Sequence, residues 1–344
     1  MTDAEPGRKR PGLTFAELIA PLDPDAFLAE ILGQRWLLLP GSADKAEAVF
    51  GWEDFNALLE MDVWSGLSLN LVLDGKKAPP ASFCRSVVDR NRMQVMRPDP
   101  AKVRSFLQQG SSVVLNEMGG VSPSVGATVD NVLKALNGHG NANLYYSQKA
   151  RRAFDSHCDR HEVFALQISG EKTWRIYKGR ANAPIEHPQF RNIPPAEIDR
   201  AKGPVDQEIV MTPGDVLYLP RGQYHDALAT SDDSLHVSIS ILTPMGLNLM
   251  QDLVMRLVED PAFRQDLPRP DGPVGQAALR EHVDELVKRF GDVFSGDRGL
   301  RIANDVIRGF TGEVSGGSYD IPKHRDVGAA PEAERQPLRA RTRR

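Results

Sequence analysis

The chain has 344 residues, of which 41% are hydrophobic and 26% charged, and its formal net charge is −4 at pH 7. That length is sufficient for a large core and for more than one domain. Only two cysteines occur, which excludes a disulfide framework, and no apolar run reaches the length of a membrane span. The net charge does not indicate a general nucleic-acid binder, although it allows a local basic patch.

The chain is predicted to begin with a helical lead-in over residues 13–60, which is followed by a region of mixed helices and strands. Residues 1–12 are polar, include Arg8-Lys9-Arg10 and lack the apolar segment of a secretory signal, so we expect a disordered start to a cytoplasmic protein. Asp23 or Asp25 is expected to cap the first helix. The elements predicted next are a helix over 25–32, a strand over 36–40, a helix over 52–59, a strand over 67–73, a helix over 101–109 that ends at Gly110, a strand over 112–116 and a helix over 125–136.

A short group of metal-ligand residues, His157-Cys158-Asp159, precedes the apolar run 163–168. Residues two apart on a strand point to the same side, so His157 and Asp159 can both face inward if this motif opens the strand. Gly170 then turns the chain into residues 172–177, which predicts a hairpin of two strands. An H-x-D motif also arises by chance, and Asp159 could then be a turn residue and His157 a core histidine.

A second segment supplies a distant histidine. It begins at Pro213-Gly214-Asp215, continues to Pro220 as P-G-D-x-x-x-x-P, and is followed by His225. Alone, this pattern indicates only a turn entering a buried strand. Combined with His157 and Asp159, this histidine predicts the two-histidine, one-carboxylate facial triad of non-haem Fe(II) oxygenases, which leaves three metal positions open. A barrel can bring the two separate segments together. We therefore take these three residues as metal ligands and catalytic residues.

The sequence resembles the JmjC-type cupin oxygenases, and within them the ribosomal oxygenases. The resemblance is dense from about residue 140 to 243 and is carried by N-L-Y at 143–145, H-x-D-x-x-E-V-F-x-L-Q-x-x-G-x-K-x-W-R-x-Y at 157–177, G-D-V-L-Y-L-P-R-G-x-x-H at 214–225 and H-V-S-I-S at 236–240. It implies a mainly β fold with helices (α+β) around a double-stranded β-helix, the jelly-roll or cupin core. It also implies a dioxygenase that uses Fe(II), 2-oxoglutarate and O2 to hydroxylate a protein or peptide side chain, ribosomal proteins included.

The resemblance further assigns cosubstrate-binding residues. Lys172 stands where the family's basic residue pairs with the distal carboxylate of 2-oxoglutarate, which fits the need of a buried carboxylate for a cation. Asn143 and Ser240 match residues that contact the cosubstrate, and Tyr145 should line the same pocket. The alternatives are an exposed hairpin lysine for Lys172 and a strand-end cap for Asn143.

Three more residues near the motifs could compete for roles in the site. His236 lies on an alternating strand and could be a core histidine rather than a ligand. His161 could face the same side as Asp159 and touch substrate. Cys158 should point away from the two flanking ligands, as a small core residue rather than a soft ligand.

Composition divides the chain into four parts: residues 1–12, a disordered N-terminus; 13–245, the catalytic domain with its lead-in; 246–315, a helical region; and 316–344, a polar, disordered tail with four arginines in 339–344. Helices are predicted over 248–258, 277–290 and 300–310, with a loop rich in Pro and Gly over 266–275. In the resembled family the helices after the barrel form a homodimer interface, and packing against the barrel is the alternative. The arginines of the tail could contact RNA or acidic surfaces, but a solvated tail is the simpler interpretation.

Two departures from the family leave the substrate open. Residues 148–156 are more basic than the Gly/Pro-rich loop expected there, and the chain stops before the winged-helix-like domain that relatives often carry. Three function classes therefore compete: a hydroxylase of a protein or peptide, a hydroxylase of a small molecule such as an amino acid or a natural-product intermediate, and a non-oxygenase cupin or silent binding module. The complete ligand set with Lys172 favours an oxygenase, and the resemblance favours a protein or peptide substrate.

Overall fold

The computed structural model describes residues 10–73, 75–148 and 155–314. The expectations for residues 1–9, for the basic stretch at 149–154 and for the tail from 316 onward lie outside the described residues. Within the described ranges, no helix combines the length and apolar character needed to cross a membrane.

The lead-in packs against the outer face of the main sheet. Its elements are α1 (Phe15–Ile19), α2 (Pro24–Glu30), β1 (Leu37–Leu39), α3 (Ala43–Val49) and α4 (Trp52–Glu60). Asp23 caps α2, since its carboxylate accepts hydrogen bonds from the backbone N–H groups of Asp25 and Ala26 at 2.9 and 3.2 Å. Strand β1 joins the sheet at its edge. The predicted helix, strand and helix are confirmed as α2, β1 and α4, whereas α1 and α3 were not predicted.

The next segment alternates short strands and helices. It contains β2 (Leu69–Leu73), β3 (Lys76–Lys77), α5 (Pro80–Phe83), β4 (Cys84–Val88), β5 (Gln94–Pro98), α6 (Pro100–Gln108), β6 (Ser112–Leu115) and α7 (Pro123–Leu136). Helix α6 ends just before Gly110, whose φ of +88° is the left-handed conformation expected after a helix. The sequence analysis missed the β4–β5 hairpin, which forms a separate two-stranded sheet.

The remaining strands build a barrel from two facing antiparallel sheets. They are β7 (His139–Gln148), β8 (Glu162–Ser169), β9 (Lys172–Arg180), β10 (Val205–Met211), β11 (Val216–Leu219), β12 (Gln223–Ala229) and β13 (Asp233–Leu242), with α8 (Pro195–Lys202) between β9 and β10. The large sheet has the order β1-β11-β8-β13-β7-β6-β2-β3, and the small sheet has the order β10-β9-β12. The predicted α+β class with a double-stranded β-helix core is confirmed.

The predicted hairpin of the strands around Gly170 is wrong. Strand β8 pairs with β11 and β13 in the large sheet, whereas β9 pairs with β10 and β12 in the small sheet. Gly170, at φ +65°, turns the chain from one sheet into the other. Strands β8 and β9 are therefore consecutive in the sequence but lie in different sheets and do not pair with each other.

Strand β8 separates two hydrophobic cores. Val163 and Ala165 face the small sheet, where they pack in a cluster with Ile176. Phe164 points the other way and packs against Phe27 of the lead-in at a ring-centroid distance of 5.6 Å. Because both faces are buried, the strand is apolar without alternation, and replacing Phe164 with alanine should cost about 3–5 kcal/mol.

Three helices follow the barrel: α9 (Gly246–Arg256), α10 (Gly272–Phe294) and α11 (Gly296–Gly309). The three predicted helices are confirmed: α9 has the predicted length but starts two residues earlier, α10 and α11 are longer than predicted, and α10 begins inside the stretch predicted as loop. None of the 23 residues of α10 is buried.

Candidate metal centre

Backbone hydrogen bonds tie the two predicted ligand segments together. His157 and His225 form an isolated antiparallel bridge, with N–H···O distances of 3.0 and 2.8 Å, and the N–H of Gly222 donates to the carbonyl of Asp159 at 2.8 Å. The H-x-D motif therefore lies before β8, which starts at Glu162, and not on the strand as expected. Its side chains are oriented by pairing with the start of β12.

The same backbone selects the ring nitrogen that each histidine presents. Nδ1 of His157 lies 2.8 Å from the carbonyl oxygen of Asp155, and Nδ1 of His225 lies 3.0 Å from that of Gln223. A carbonyl oxygen only accepts, so each Nδ1 carries the proton and each Nε2 presents a lone pair to the site. This is the arrangement in which an imidazole binds a metal and is oriented by its other nitrogen.

The three ligand residues converge on one point. Nε2 of His157 and Nε2 of His225 lie 3.9 and 3.8 Å from the two carboxylate oxygens of Asp159, and one ligand atom from each residue lies within 4.8 Å of the others. Burial lowers the pKa of His225 to about 4, with a further contribution from His157. Burial opposes the charge of Asp159, but His157 and His225 outweigh it and lower the pKa of that carboxyl. The site thus combines two imidazoles, of which that of His225 is neutral at pH 7, with a carboxylate.

This donor set fits a divalent transition metal such as Fe(II). Two nitrogen or oxygen atoms bound to one ion at about 2.1 Å lie about 3–4 Å apart, close to the 3.8 and 3.9 Å observed. Imidazole and carboxylate ligands suit iron, and three protein ligands leave other positions free.

Lys172 lies in the same cavity and is 3% exposed. Its ammonium group is 3.3 Å from Oγ of Ser147 and 3.5 Å from Nδ1 of His236. Within the described part of the chain no carboxylate pairs with it, and burial lowers its pKa to about 7. A buried cation without an anion is a site for an anionic ligand.

The wall beside Lys172 comes from two paired strands. Tyr145 of β7 is opposite His236 of β13, and Asn143 is opposite Ser238. The rings of Tyr145 and His236 stack at 4.8 Å and 8°, and the Tyr145 hydroxyl is hydrogen-bonded to Asn143. Burial raises the pKa of Tyr145 to about 12, so its hydroxyl keeps its proton. The wall offers neutral polar groups to a ligand that reaches Lys172.

Trp174 is a lining residue that the sequence analysis did not select. Its ring lies 5.6 Å from that of His225 and 5.7 Å from that of His236. Its Nε1 is buried and has no hydrogen-bond acceptor among the described residues. An unpaired buried N–H is costly, so this donor has capacity for a ligand oxygen. The sequence could have indicated this role, because Trp174 lies two residues after Lys172 on β9 and residues two apart on a strand face the same side.

A cavity of about 560 Å³ connects these groups, a volume typical of small-ligand pockets. Lys77, Arg160 and His161 also line it, and Nε of Arg160 is 2.6 Å from Glu186. The cavity includes every predicted site residue: His157, Asp159, His225, Lys172, Asn143, Ser240 and Tyr145. It also includes the rivals His161 and His236, although neither belongs to the ligand cluster within the described residues.

An ion pair on the other face of the small sheet supports the site. Arg175 of β9 forms a bidentate pair with Asp226 of β12 at 2.8 and 3.0 Å, and the hydroxyl of Tyr177 donates to the same carboxylate at 2.6 Å. Asp226 follows His225, and Arg175 lies on the strand of Lys172. This pairing fixes the register of the strand that carries a ligand against the strand that carries the cation.

Residues 121–249 match the model of the JmjC domain family. Ribosomal oxygenase 1 of Gallus gallus is 31% identical over 315 residues, which cover 84% of this chain and 49% of that protein. The bifunctional lysine-specific demethylase and histidyl-hydroxylase NO66 of Drosophila persimilis is 36% identical over 121 residues, which cover 35% of this chain and 17% of that protein. The chain spans about half the length of the curated ribosomal oxygenases it matches.

Solved structures show the same fold. Escherichia coli YcfD matches with a TM-score of 0.51 and 16% identity over 83% of this chain and 71% of that chain. YcfD described as a ribosomal oxygenase in complex with cobalt and 2-oxoglutarate matches with a TM-score of 0.50 and 15% identity over the same shares. At these identities the likeness concerns the fold alone.

Proposed function

The chain is a JmjC-domain protein with a double-stranded β-helix core, similar over most of its length to ribosomal oxygenases, and from this premise we propose that it is an Fe(II)- and 2-oxoglutarate-dependent dioxygenase that hydroxylates a protein or peptide side chain. The proposal depends on one observation. The His157, Asp159 and His225 cluster opens into the same cavity as the buried Lys172, with which no carboxylate of the described residues pairs. A metal-dependent isomerase or a silent cupin has no need of that lysine.

In this proposal His157, Asp159 and His225 hold the iron, which when bound supplies O2 activation coupled to oxidative decarboxylation of 2-oxoglutarate to succinate and CO2. Lys172 binds the distal carboxylate of the cosubstrate and replaces the water lost on burial. The neutral groups of Asn143, Tyr145 and Ser240 orient the cosubstrate along the β7–β13 wall.

The substrate enters between Arg160, His161 and Lys77, which line the cavity. These polar and charged side chains can hold a peptide backbone and orient one side chain toward the metal. The relatives named ribosomal oxygenase and histidyl-hydroxylase support a protein substrate, with a ribosomal protein as the first candidate. We favour this class over a free amino acid or natural-product intermediate for that reason.

We further propose that α10 carries a homodimer interface. An apolar stripe formed by Leu279, Val283, Leu286 and Phe290 follows helical spacing, yet no residue of α10 is buried. Val283 is 43% exposed. Leu279, Leu286 and Phe290 are half-buried, so the stripe is only partly covered within this chain. A 23-residue helix with a partly exposed apolar stripe is expected to pack against another chain. The division into a catalytic part, 13–245, and a helical part, 246–315, belongs to this proposal, and the cytoplasmic location stays a prediction.

The first test is coupled turnover. The protein, reconstituted with Fe(II) without oxygen, should gain an absorbance band on addition of 2-oxoglutarate and form succinate once oxygen is admitted. Ribosomal proteins incubated with it should gain the mass of one oxygen atom. His157→Ala should lower succinate formation by about 100-fold or more, because the metal loses a ligand.

The matched control is His187→Ala, an exposed histidine away from the cavity, which should retain wild-type turnover. Wild-type protein that binds Fe(II) but shows neither the absorbance band nor succinate would overturn the proposal. Hydroxylation of a free amino acid, with no protein product, would move the assignment to the small-molecule class.

A further inference from the structure

Basic residues are concentrated on one segment of an otherwise acidic chain. Residues 76–104 contain eight lysines and arginines and only two acidic residues, although the whole chain has a net charge of −4. Most of this segment is the hairpin formed by β4, β5 and the turn between them, residues 84–98, here called the basic hairpin. The net charge conceals this local patch because it averages over the chain.

The basic hairpin contains a cross-strand pair of like charges, which lowers its stability. Arg85 and Arg97 are directly opposite each other in the antiparallel register, and like charges at such a pair are destabilising. Each arginine has one carboxylate nearby, since Arg85 is 3.9 Å from Asp99 and Arg97 is 3.3 Å from Asp62, and Arg97 also donates to the backbone carbonyl of Asp62. An arrangement that costs stability is consistent with a role in binding an anion.

The tip of the basic hairpin carries two more arginines. Arg90 and Arg92 are exposed, and no carboxylate pairs with them within the described ranges. Arg92 adopts φ +60°, a conformation that is uncommon for residues other than glycine and asparagine. The backbone N–H groups of Asn91 and Met93 both donate to the carboxylate of Asp89 at 2.9 Å, which fixes the turn and the two arginines on it.

Apolar side chains lie beside these arginines. Val88 and Met93 are 67% and 63% exposed, and Met96 is also exposed. A two-stranded sheet that is exposed in this way is marginal on its own. Arginines that lie beside exposed apolar groups suit a phosphate backbone with unstacked bases, because guanidinium groups bind phosphate in a bidentate manner and also stack on bases.

The basic hairpin is joined to the rim of the candidate active site. Lys77 of β3 lines the cavity, and the four-residue helix α5 connects β3 to the hairpin. Lys76 and Lys77 thus extend the positive charge from the hairpin to the cavity mouth. We propose that the basic hairpin binds the phosphate backbone of RNA and so positions a protein substrate that lies next to RNA. The choice of RNA rests on the proposed function, since a ribosomal protein is presented together with RNA.

The test is fluorescence anisotropy of a labelled single-stranded RNA with the metal-free protein. Arg90→Ala/Arg92→Ala should weaken binding about tenfold and reduce the slope of log Kd against log salt by about 1.4, between roughly 50 and 200 mM salt, because each lost phosphate contact removes about 0.7 from that slope. Arg90→Glu/Arg92→Glu should weaken it further.

The matched control is Arg264→Ala/Arg269→Ala, which removes the same charge from exposed positions in the C-terminal region and should leave the Kd unchanged. No RNA binding by the wild type, or equal losses in both double variants, would overturn the proposal. Tighter binding of an acidic peptide than of RNA would overturn it in favour of a protein partner. Succinate formation is measured separately. Absence of turnover would therefore contradict the proposed function without changing the measured Kd for RNA.

Discussion

Lys172 is a buried lysine whose described neighbours are neutral, which its residue type and position alone did not predict. Its position on β9 is common for a lysine near a strand end, and an exposed hairpin lysine was a fair alternative. In the structure the Lys172 side chain is buried next to Ser147 and His236. Ser147 offers an uncharged hydroxyl, and His236 is neutral because burial lowers its pKa well below the usual range. The pocket therefore holds a cation that is not neutralised by a carboxylate from the described residues.

The pKa of about 7 predicts a pH dependence for cosubstrate binding. Below pH 7 Lys172 is an ammonium and attracts the distal carboxylate of 2-oxoglutarate; above pH 7 it is a neutral amine. Because the bound anion raises this pKa, affinity should be highest below 7 and fall by up to about tenfold for each pH unit above it, until the pKa of the complex is reached.

Calorimetry of 2-oxoglutarate binding to the metal-free protein from acid to alkaline pH would measure this decline. Lys172→Met keeps the length of the side chain and removes the titrating group, so its binding should be weak and independent of pH. An equally steep decline in that variant would show that another group is responsible.

The turn before β11 requires a glycine at position 214 and a carboxylate at position 215. Gly214 has φ +95°, and a Cβ at this position would collide with the backbone of Ser42 in the lead-in. Asp215 completes the turn, because its carboxylate accepts hydrogen bonds from the N–H groups of Gly41 and Thr212 at 2.9 and 2.8 Å. One P-G-D motif thus links the lead-in to the strand that precedes His225.

Gly214→Ala should therefore lower the free energy of unfolding by about 2 kcal/mol or more, from left-handed strain and the clash together. Urea denaturation would measure the loss. Gly246→Ala is the control, since Gly246 has no positive φ and no atom within 4 Å of an added Cβ, and a change within about 0.5 kcal/mol is expected. Similar stability of the two variants would contradict the packing described for the turn.

At the scale of the whole molecule, the open question is what covers α10. If the stripe is a dimer interface, light scattering should give a mass of twice 37.9 kDa for the wild type and 37.9 kDa for Val283→Glu. A buried carboxylate without a partner is costly, so the variant should dissociate at concentrations where the wild type is dimeric.

Val274→Glu provides the matched control. Val274 is 84% exposed and lies nine positions before Val283, which places it on the opposite face of α10. It should leave the mass unchanged. A monomeric wild type at micromolar concentration would remove the dimer proposal and leave the stripe without an explanation.

Much of the site could be predicted from the sequence because its components are local. An H-x-D motif, a P-G-D turn and alternating apolar residues each specify geometry over a few residues, and the resemblance to cupin oxygenases supplied Lys172, Asn143, Tyr145 and Ser240. Helix and strand positions followed from periodicity in the same way. The sequence by itself determined the residues that converge on the cavity and the class of fold that brings them there.

Only the tertiary structure decided which strands pair and which groups lack partners. The strands on either side of Gly170 lie in different sheets, and His157 is held by a bridge to His225 rather than by a strand. The indole N–H of Trp174 finds no acceptor in the part of the chain that the structure describes. The basic hairpin likewise emerges only when Arg85 and Arg97 are brought opposite each other. The physical reason is that strand partners, burial and unpaired polar groups depend on how distant segments close around one another, which no short stretch of sequence specifies.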